Sequence, residues 1–219
     1  MKRALLLGSL SLILGFGSFS SASAGTIFTL TQDGCSGGGC GSGPFGTITL
    51  SQSGSNVNVN LTLNSANNER FAGTGAGNSL EFNVLNATTA DITNISSGFH
   101  LGPAPASAST FGSFLFSIAC NDPGACHGGQ SGNTAGPLTF TVNNALISDF
   151  VANGSGGSGY YFASDIAVFT GDATRTGDVG ATGPGTVTQT GVTPEPSSLL
   201  LLGTGLTAAG GLIRRKMTA

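Results

Sequence analysis

Apolar and polar residues alternate strictly over residues 56–63, and this pattern restricts that part of the chain to extended structure. Val57, Val59, Leu61 and Leu63 alternate with three asparagines and one threonine. Successive side chains of a β-strand point to opposite faces, so one face of this segment is expected to be buried and the other to face solvent.

Eight further short runs of strand-forming residues are bounded by clusters of Gly, Ser, Asn and Pro. No window of 11 or more residues in the body of the chain carries a helical apolar stripe free of Gly or Pro. The sequence therefore predicts an all-β domain, an antiparallel β-sandwich of the jelly-roll type. A β-solenoid is the alternative, although no fixed repeat of solenoid length is present. The eight runs are 26–31, 47–51, 80–85, 91–95, 111–119, 138–142, 145–150 and 160–170.

Phenylalanine is the main large apolar residue available for a core. The chain contains 14 Phe, 2 Tyr and no Trp, and twelve of the phenylalanines lie in the body. Each buried ring contributes roughly 1.5–3 kcal/mol to stability. We expect a core built from the rings in predicted strands, which are Phe82, Phe114, Phe116, Phe140, Phe150, Phe162 and Phe169.

Charge is scarce and unevenly distributed. Charged residues make up 8% of the chain, against about 25% in ordinary domains. Five of the seven Lys and Arg residues lie in the two end segments, so only Arg70 and Arg175 face nine carboxylates between Gly25 and Thr193. A nucleic-acid partner is excluded, because no basic cluster is present to displace the counterions of a phosphate backbone.

The first 24 residues have the pattern of a secretory signal peptide. Two basic residues precede an apolar run over residues 4–19, and an A-x-A cleavage site follows at Ala22 and Ala24. We expect export and cleavage after Ala24, which makes Gly25 the new N-terminus.

The last 26 residues combine three parts in a fixed order. A Pro-Glu-Pro motif, Pro194, Glu195 and Pro196, precedes an apolar segment over residues 197–213. As a helix this segment would be ~25 Å long, slightly short of a ~30 Å hydrocarbon core. A basic cluster then closes the chain, and the positive-inside rule leaves the body on the outer face of the membrane. The basic cluster consists of Arg214, Arg215 and Lys216.

This tail resembles the PEP-CTERM sorting signal of Gram-negative bacterial envelope proteins. The Pro-Glu-Pro motif, the Ser-Ser-Leu-Leu-Leu-Leu-Gly run over 197–203 and the basic cluster match, whereas Thr193 stands where the family usually has Val. The resemblance implies recognition by exosortase, a membrane-embedded protease that would cut near the motif. It also implies association with exopolysaccharide or biofilm matrix. A plain tail anchor without processing is the alternative.

These signals divide the chain into four predicted segments: a signal peptide (1–24), a β-sandwich domain (25–170), a flexible Thr/Gly-rich linker (171–193) and the sorting signal with its transmembrane helix (194–219). The expected partners are the export machinery and an exosortase-type protease, with exopolysaccharide as a candidate ligand. Transient membrane anchoring would precede delivery to the outer envelope or the extracellular matrix.

The four cysteines form two local groups, and an even number in an exported chain favours disulfides. Among the three possible connectivities we expect Cys35–Cys40 and Cys120–Cys126, because short loops containing Gly or Pro can turn back on themselves. A zinc site that includes His127 is the rival interpretation, but the cysteine spacings do not fit a zinc hook on both sides.

No motif in the body indicates catalysis. A Gly-x-Ser-x-Gly pattern surrounds Ser36, but a chain this rich in Gly and Ser produces it by chance, and only His100 and His127 are available as bases. Two Gly-x-Gly-x-x-Gly matches run into predicted strands rather than into a helix. We expect a non-catalytic surface or matrix protein without a cofactor, and a secreted hydrolase is the least favoured alternative.

Three binding hypotheses accompany this expectation. Asp165, Asp172 and Asp178 are candidate calcium ligands, because oxygen-rich loops suit Ca²⁺. Tyr160 and Tyr161 are the candidate platform of a carbohydrate-binding or adhesin-like module. Thr-x-Thr pairs suggest ice binding, although along the sequence they are scattered rather than evenly spaced.

Overall fold

The structure of the protein is a computed structural model. It describes residues 23–190 except 38, 73–77, 109, 122–125, 127–132, 154–158 and 171–172. Residues 1–22 and 191–219 lie outside the described residues, and with them most of the predicted signal peptide and the whole predicted sorting signal.

The described residues form β-strands joined by turns and three short 3₁₀ helices, and all strand pairs are antiparallel. This confirms the prediction of an all-β chain. The 3₁₀ helices span Ser65–Asn67, Thr89–Asp91 and Ile147–Asp149. The strands are β1 (Ser23–Leu30), β2 (Gln32–Asp33), β3 (Gly46–Ser53), β4 (Asn56–Leu63), β5 (Glu69–Phe71), β6 (Leu80–Phe82), β7 (Ile92–Thr93), β8 (Phe99–Leu101), β9 (Ala106–Ala108), β10 (Gly112–Phe114), β11 (Phe116–Cys120), β12 (Leu138–Val142), β13 (Phe162–Thr170), β14 (Ala173–Ala181) and β15 (Pro184–Thr190).

The strands are arranged in two large sheets and one hairpin. The first sheet has the order β15-β1-β3-β4-β12-β7, and the second has the order β2-β14-β13-β6-β11-β8, with β5 also paired to β13. Strands β9 and β10 form the separate hairpin, and β9 contacts β6 and β13 of the second sheet.

Strand β4 shows why the alternating segment forms a sheet. Its four apolar side chains are fully or almost fully buried, whereas Asn58, Asn60 and Thr62 are exposed. Leu50 of β3 lies opposite Val59, so apolar side chains of neighbouring strands share one face. The predicted burial pattern is confirmed residue by residue.

Phenylalanine rings connect the two sheets through one hydrophobic cluster. Phe28 of β1 and Phe162 of β13 have ring centroids 4.9 Å apart, and Phe82 of β6 and Phe140 of β12 have centroids 5.1 Å apart. Six of the seven predicted core rings are buried, and Phe169 is half-buried. Phe169 lies near the end of β13 on the face opposite to Phe162, which explains its exposure.

A second, smaller hydrophobic cluster covers the opposite face of the second sheet. Phe111 and Phe114 of the β9–β10 region pack with Ala108 and Ala163, and Tyr160 packs against them. Gly180 makes this close packing possible, because a Cβ at that position would lie 3.2 Å from the Phe111 ring. The hairpin therefore buries side chains on the outer face of the second sheet.

Two predicted strands are wrong in detail. Residues 145–150 contain a 3₁₀ helix instead, because the Asp149 carboxylate accepts a 2.7 Å hydrogen bond from the Leu146 N–H and closes a turn. The run 111–119 is divided between β10 and β11 at Leu115, whose N–H donates to Asn83 Oδ1 at 2.8 Å. Side chains that bind the backbone thus override local strand propensity.

The predicted linker over residues 171–193 is also corrected. Strand β14 pairs along its whole length with β13, and β15 pairs with β1. These strands lack large apolar residues, but backbone hydrogen bonding to a neighbour requires none, and Val179 and Ala181 are fully buried. The strands of the domain therefore extend to Thr190 rather than ending at residue 170.

We predict that Phe82→Ala destabilises the domain by about 3–5 kcal/mol, because the ring is fully buried and contacts Phe116, Phe140 and Phe150. Urea unfolding followed by circular dichroism measures the loss. Leu115→Ala is the control, because Leu115 is 50% exposed and should change stability by less than about 0.5 kcal/mol. Equal effects of the two substitutions would contradict the assignment of the core.

Candidate functional sites

The beginning of β1 contains the predicted signal-peptide cleavage site. Ala24 lies opposite Gln189 of β15, while Gly25 is the first residue of β1 that pairs with β3. Cleavage between Ala24 and Gly25 would remove two residues from the end of the strand and leave its pairing with β3 complete. Ala22 lies outside the described residues.

The end of β15 is close in sequence to the predicted sorting motif. The strand ends at Thr190, four residues before Pro194. The Pro-Glu-Pro motif and the basic cluster lie outside the described residues. Within the part of the chain that the structure describes, no helix is long and apolar enough to cross a membrane.

Comparison with protein families identifies the segment that follows β15. A family model of the PEP-CTERM protein-sorting motif matches residues 192–216. The chain carries a PEP-CTERM sorting motif. The PEP-CTERM motif implies export, transient membrane anchoring and processing by exosortase, a membrane protein. Comparisons with curated proteins and with solved structures find no match to the chain.

The four cysteines form the two predicted local disulfides. Cys35 is joined to Cys40 with a Cα–Cα distance of 5.4 Å, and Cys120 to Cys126 with 5.8 Å. Cys126 is therefore bound to another cysteine, which removes the thiolate that the zinc interpretation requires. His127 lies outside the described residues.

The first disulfide loop is fixed by Asp33. Its carboxylate accepts hydrogen bonds from the N–H groups of Cys35 at 2.9 Å and Cys40 at 2.8 Å. These three side chains are the only group of three metal-ligand types within 4.8 Å among the described residues. Both sulfurs are in the disulfide, so the arrangement serves the loop and offers no thiolate to a metal.

The structure gives the Ser36 hydrolase hypothesis no support from local geometry. Ser36 is exposed at a turn inside the first disulfide loop, whereas a nucleophile of this motif sits at a strand-to-helix elbow. His100 is exposed on β8, where it lies opposite Ala119.

The two tyrosines are packing residues rather than an exposed platform. Tyr160 and Tyr161 are half-buried, with ring centroids 4.5 Å from Phe111 and 5.2 Å from Phe28, respectively. Tyr161 packs against the main hydrophobic cluster and Tyr160 against the smaller one, so each ring is partly covered.

The outer face of the first sheet carries aligned rows of uncharged polar side chains. Neighbouring strands are spaced by about 4.8 Å, and alternate residues along a strand by about 6.7 Å. The sequence suggested that the threonines are scattered, but the strand register stacks them with asparagine and serine. The rows are Thr47 with Thr62; Thr49 with Asn60 and Thr139; and Ser51 with Asn58, Thr141 and Thr93.

Three carboxylates are buried on the outer face of the second sheet. Glu81, Asp165 and Asp178 are 0%, 2% and 4% exposed, respectively. Asp165 lies directly opposite Asp178, and Glu81 lies opposite Ala163, two residues before Asp165. We call these three residues the carboxylate cluster. It includes two of the predicted calcium ligands, whereas Asp172 lies outside the described residues.

One carboxylate oxygen of Glu81 accepts hydrogen bonds, and the other has no hydrogen-bond partner. Its Oε1 accepts hydrogen bonds from the backbone N–H and the side-chain amide of Asn78 at 3.1 and 3.0 Å, while its Oε2 has no hydrogen-bond partner. Burial raises the pKa of Glu81 well above its usual value, and the negative charges of Asp178 and Asp165 raise the pKa further. Sequence reasoning considered Glu81 only as a candidate glycosidase carboxylate and did not group it with the two aspartates, because only the pairing of β6 with β13 brings them together.

Glu69 is a second buried carboxylate, in β5. Burial raises its pKa from 4.5 to about 7, although Oε2 accepts a 3.1 Å hydrogen bond from the Asn64 N–H. A carboxyl group whose pKa is raised by folding binds its proton more tightly in the folded state. Its stabilising contribution is complete below pH 4.5 and is lost as the pH rises through about 7.

We predict that the wild-type domain loses stability between pH 5 and pH 8 and that Glu69→Gln reduces this loss by on the order of 2 kcal/mol. Urea unfolding at several pH values measures the difference. Asp91→Asn is the control, because hydrogen bonds from Thr88 lower the pKa of Asp91, so it titrates below this range. If the free energy of unfolding of Glu69→Gln fell with pH as steeply as that of the wild type, the raised pKa assigned to Glu69 would be refuted.

Proposed function

We propose that this chain is a non-catalytic protein of the cell envelope or extracellular matrix, delivered by a PEP-CTERM/exosortase-type system. The match of the sorting motif to residues 192–216 carries the proposal. The predicted cleavage site at the start of β1 supports it, because removal of residues 1–24 spares the strand pairing that the domain needs.

We further propose that the exported domain is a jelly-roll-like β-sandwich. Its two large sheets contribute side chains to one hydrophobic cluster, which supports face-to-face packing. The Phe28–Phe162 and Phe82–Phe140 pairs each join a ring of the first sheet to a ring of the second. Sandwich cores are built in this way from the inner faces of two antiparallel sheets.

The chemistry of the domain's surface supports a role without catalysis. Ser36 lies at an exposed turn, and the outer face of the first sheet is covered by hydroxyl and amide groups. Such groups hydrogen-bond to water and to neutral polymers over a wide range of salt concentration, because no ionic contact is there to be screened. These properties suit a protein that resides in a hydrated extracellular polymer.

We predict that the protein recovered from cells begins at Gly25 and lacks the chain beyond approximately Pro196. Intact-mass spectrometry of the membrane and medium fractions measures both ends. The double substitution Pro194→Ala and Pro196→Ala should retain the tail, because it removes the motif that the protease recognises. Thr193→Val is the control and should be processed like the wild type. A C-terminus at Ala219 in every fraction would reject sorting.

A second candidate function is binding of a neutral polysaccharide by the outer face of the first sheet. The observation in its favour is the alignment of Thr, Asn and Ser in rows across β3, β4 and β12. Donors and acceptors repeated along two directions can bind a polymer whose hydroxyl groups are themselves repeated. This face replaces the two tyrosines as the candidate surface of a carbohydrate-binding module.

We predict that Asn60→Lys, which places a bulky charge in the middle of these rows, weakens retention on insoluble cellulose by roughly 10-fold, equivalent to 1.4 kcal/mol. Ser113→Lys is the matched control, because Ser113 is exposed on the β9–β10 hairpin. Equal retention of both variants, or no retention of the wild type, would exclude this function. Thermal hysteresis without polysaccharide binding would assign the face to ice.

A further inference from the structure

The carboxylate cluster is brought together by strand pairing. Asp165 of β13 and Asp178 of β14 are cross-strand partners, and Glu81 of β6 flanks β13 on its other side. Ala163 and Asp165 are alternate residues of β13 and share one face of the sheet. Glu81, which lies opposite Ala163, is therefore on the same face as the Asp165–Asp178 pair. Three acidic side chains from three adjacent strands thus occupy one buried region.

This concentration of negative charge is costly unless something compensates for it. Aspartate and glutamate are almost never fully buried without a partner, and buried charges are usually paired with cations or bound to metals. The hydrogen bonds to Glu81 come from Asn78, and its charged neighbours are both acidic.

A second observation indicates a ligand. The Oε2 atom of Glu81 and the Oγ atom of Ser79 are both buried and have no hydrogen-bond partner. Glu81 and Ser79 are each 0% exposed. Buried oxygen atoms normally have a hydrogen-bond partner, because leaving one unsatisfied costs roughly 1–3 kcal/mol. These two atoms belong to residues two apart in sequence, and Glu81 interacts electrostatically with both buried aspartates.

We propose that Glu81, Asp165 and Asp178 bind a Ca²⁺ ion, with Ser79 Oγ as a further ligand. All four groups supply oxygen, which is the ligand atom of hard divalent cations, and His and Cys are absent from the set. Calcium accepts six to eight oxygens in flexible geometry, whereas magnesium requires a near-ideal octahedron. A site assembled from three strands favours calcium for this reason.

Coordination requires side-chain rotation. The ligand oxygens of the three carboxylates do not all lie within 4.8 Å of one another. Glu81 can rotate about three side-chain bonds, and rotation exchanges its hydrogen bonds from Asn78 for contacts with the ion. A bound ion would also neutralise the repulsion that raises the pKa of Glu81. Binding is therefore expected to stabilise the folded domain, because the unfolded chain does not hold the three groups together.

The test is a comparison of the protein recovered from cells, first treated with EDTA and then supplied with 2 mM CaCl₂ or 2 mM MgCl₂. We expect calcium to raise the melting temperature by roughly 5 °C or more and magnesium to have a much smaller effect. Isothermal titration calorimetry with CaCl₂ should show one binding event per chain. No melting shift and no heat with calcium, or an equal shift with magnesium, would overturn the proposal.

Two variants locate the site. Glu81→Gln and Asp165→Asn each remove one ligand charge with little change of shape, and each should weaken calcium binding at least 10-fold. Glu69→Gln is the matched control, because it alters a buried carboxylate outside the cluster and should keep the calcium response. Circular dichroism verifies folding of each variant. The site would be refuted if folded Glu81→Gln bound calcium as tightly as the wild type. It would also be refuted if the wild type bound no calcium and Glu81→Gln were more stable than the wild type without calcium.

Discussion

Packing of phenylalanine rings between the two sheets is the interaction on which the remaining structure depends. The rings are the largest side chains of the core, and buried Leu, Val and Ile residues pack around them. Rings such as Phe82 and Phe162 are fully buried, and each aromatic pair adds about 0.5–1.5 kcal/mol beyond its buried area. Once these rings hold the sheets, strands with few apolar side chains can be added mainly through backbone hydrogen bonds. Strand β14 is such a case, since it pairs with nine consecutive residues of β13.

The parts of the fold that depend on local pattern were predictable. Alternation over residues 56–63 gave the buried and exposed faces of β4, and residues 138–142 are β12 with the predicted bounds. The 3₁₀ helix at Ile147–Asp149 was missed because one side-chain hydrogen bond to the backbone outweighs the apolar character of the run. Strand β15 was missed because its partner β1 is distant in sequence. Strand β14 was missed because it pairs with β13 through backbone hydrogen bonds and contains few large apolar residues, so hydrophobic periodicity does not report it.

The candidate sites also divide into those that a local sequence pattern predicts and those that only strand pairing reveals. The sorting motif is a linear signal, so its residues could be found without a structure. Asp165 and Asp178 could be singled out as oxygen ligands, but Glu81 joins them only through the pairing of β6 with β13. The polar rows of the first sheet were misinterpreted for the same reason: Thr49, Asn60 and Thr139 are separated along the chain and become neighbours only in the register of three strands.

Strand pairing also places the two ends of the domain together. Ser23 lies opposite Thr190, so the predicted signal-peptidase site and the approach to the sorting motif are at the same end of the β1–β15 pair. Three residues separate Thr190 from Pro194. Gly25 pairs with Thr188, so both predicted cuts leave the paired residues from 25 to 188 in place. The strand that precedes the sorting motif thus remains attached to the domain whichever cut comes first.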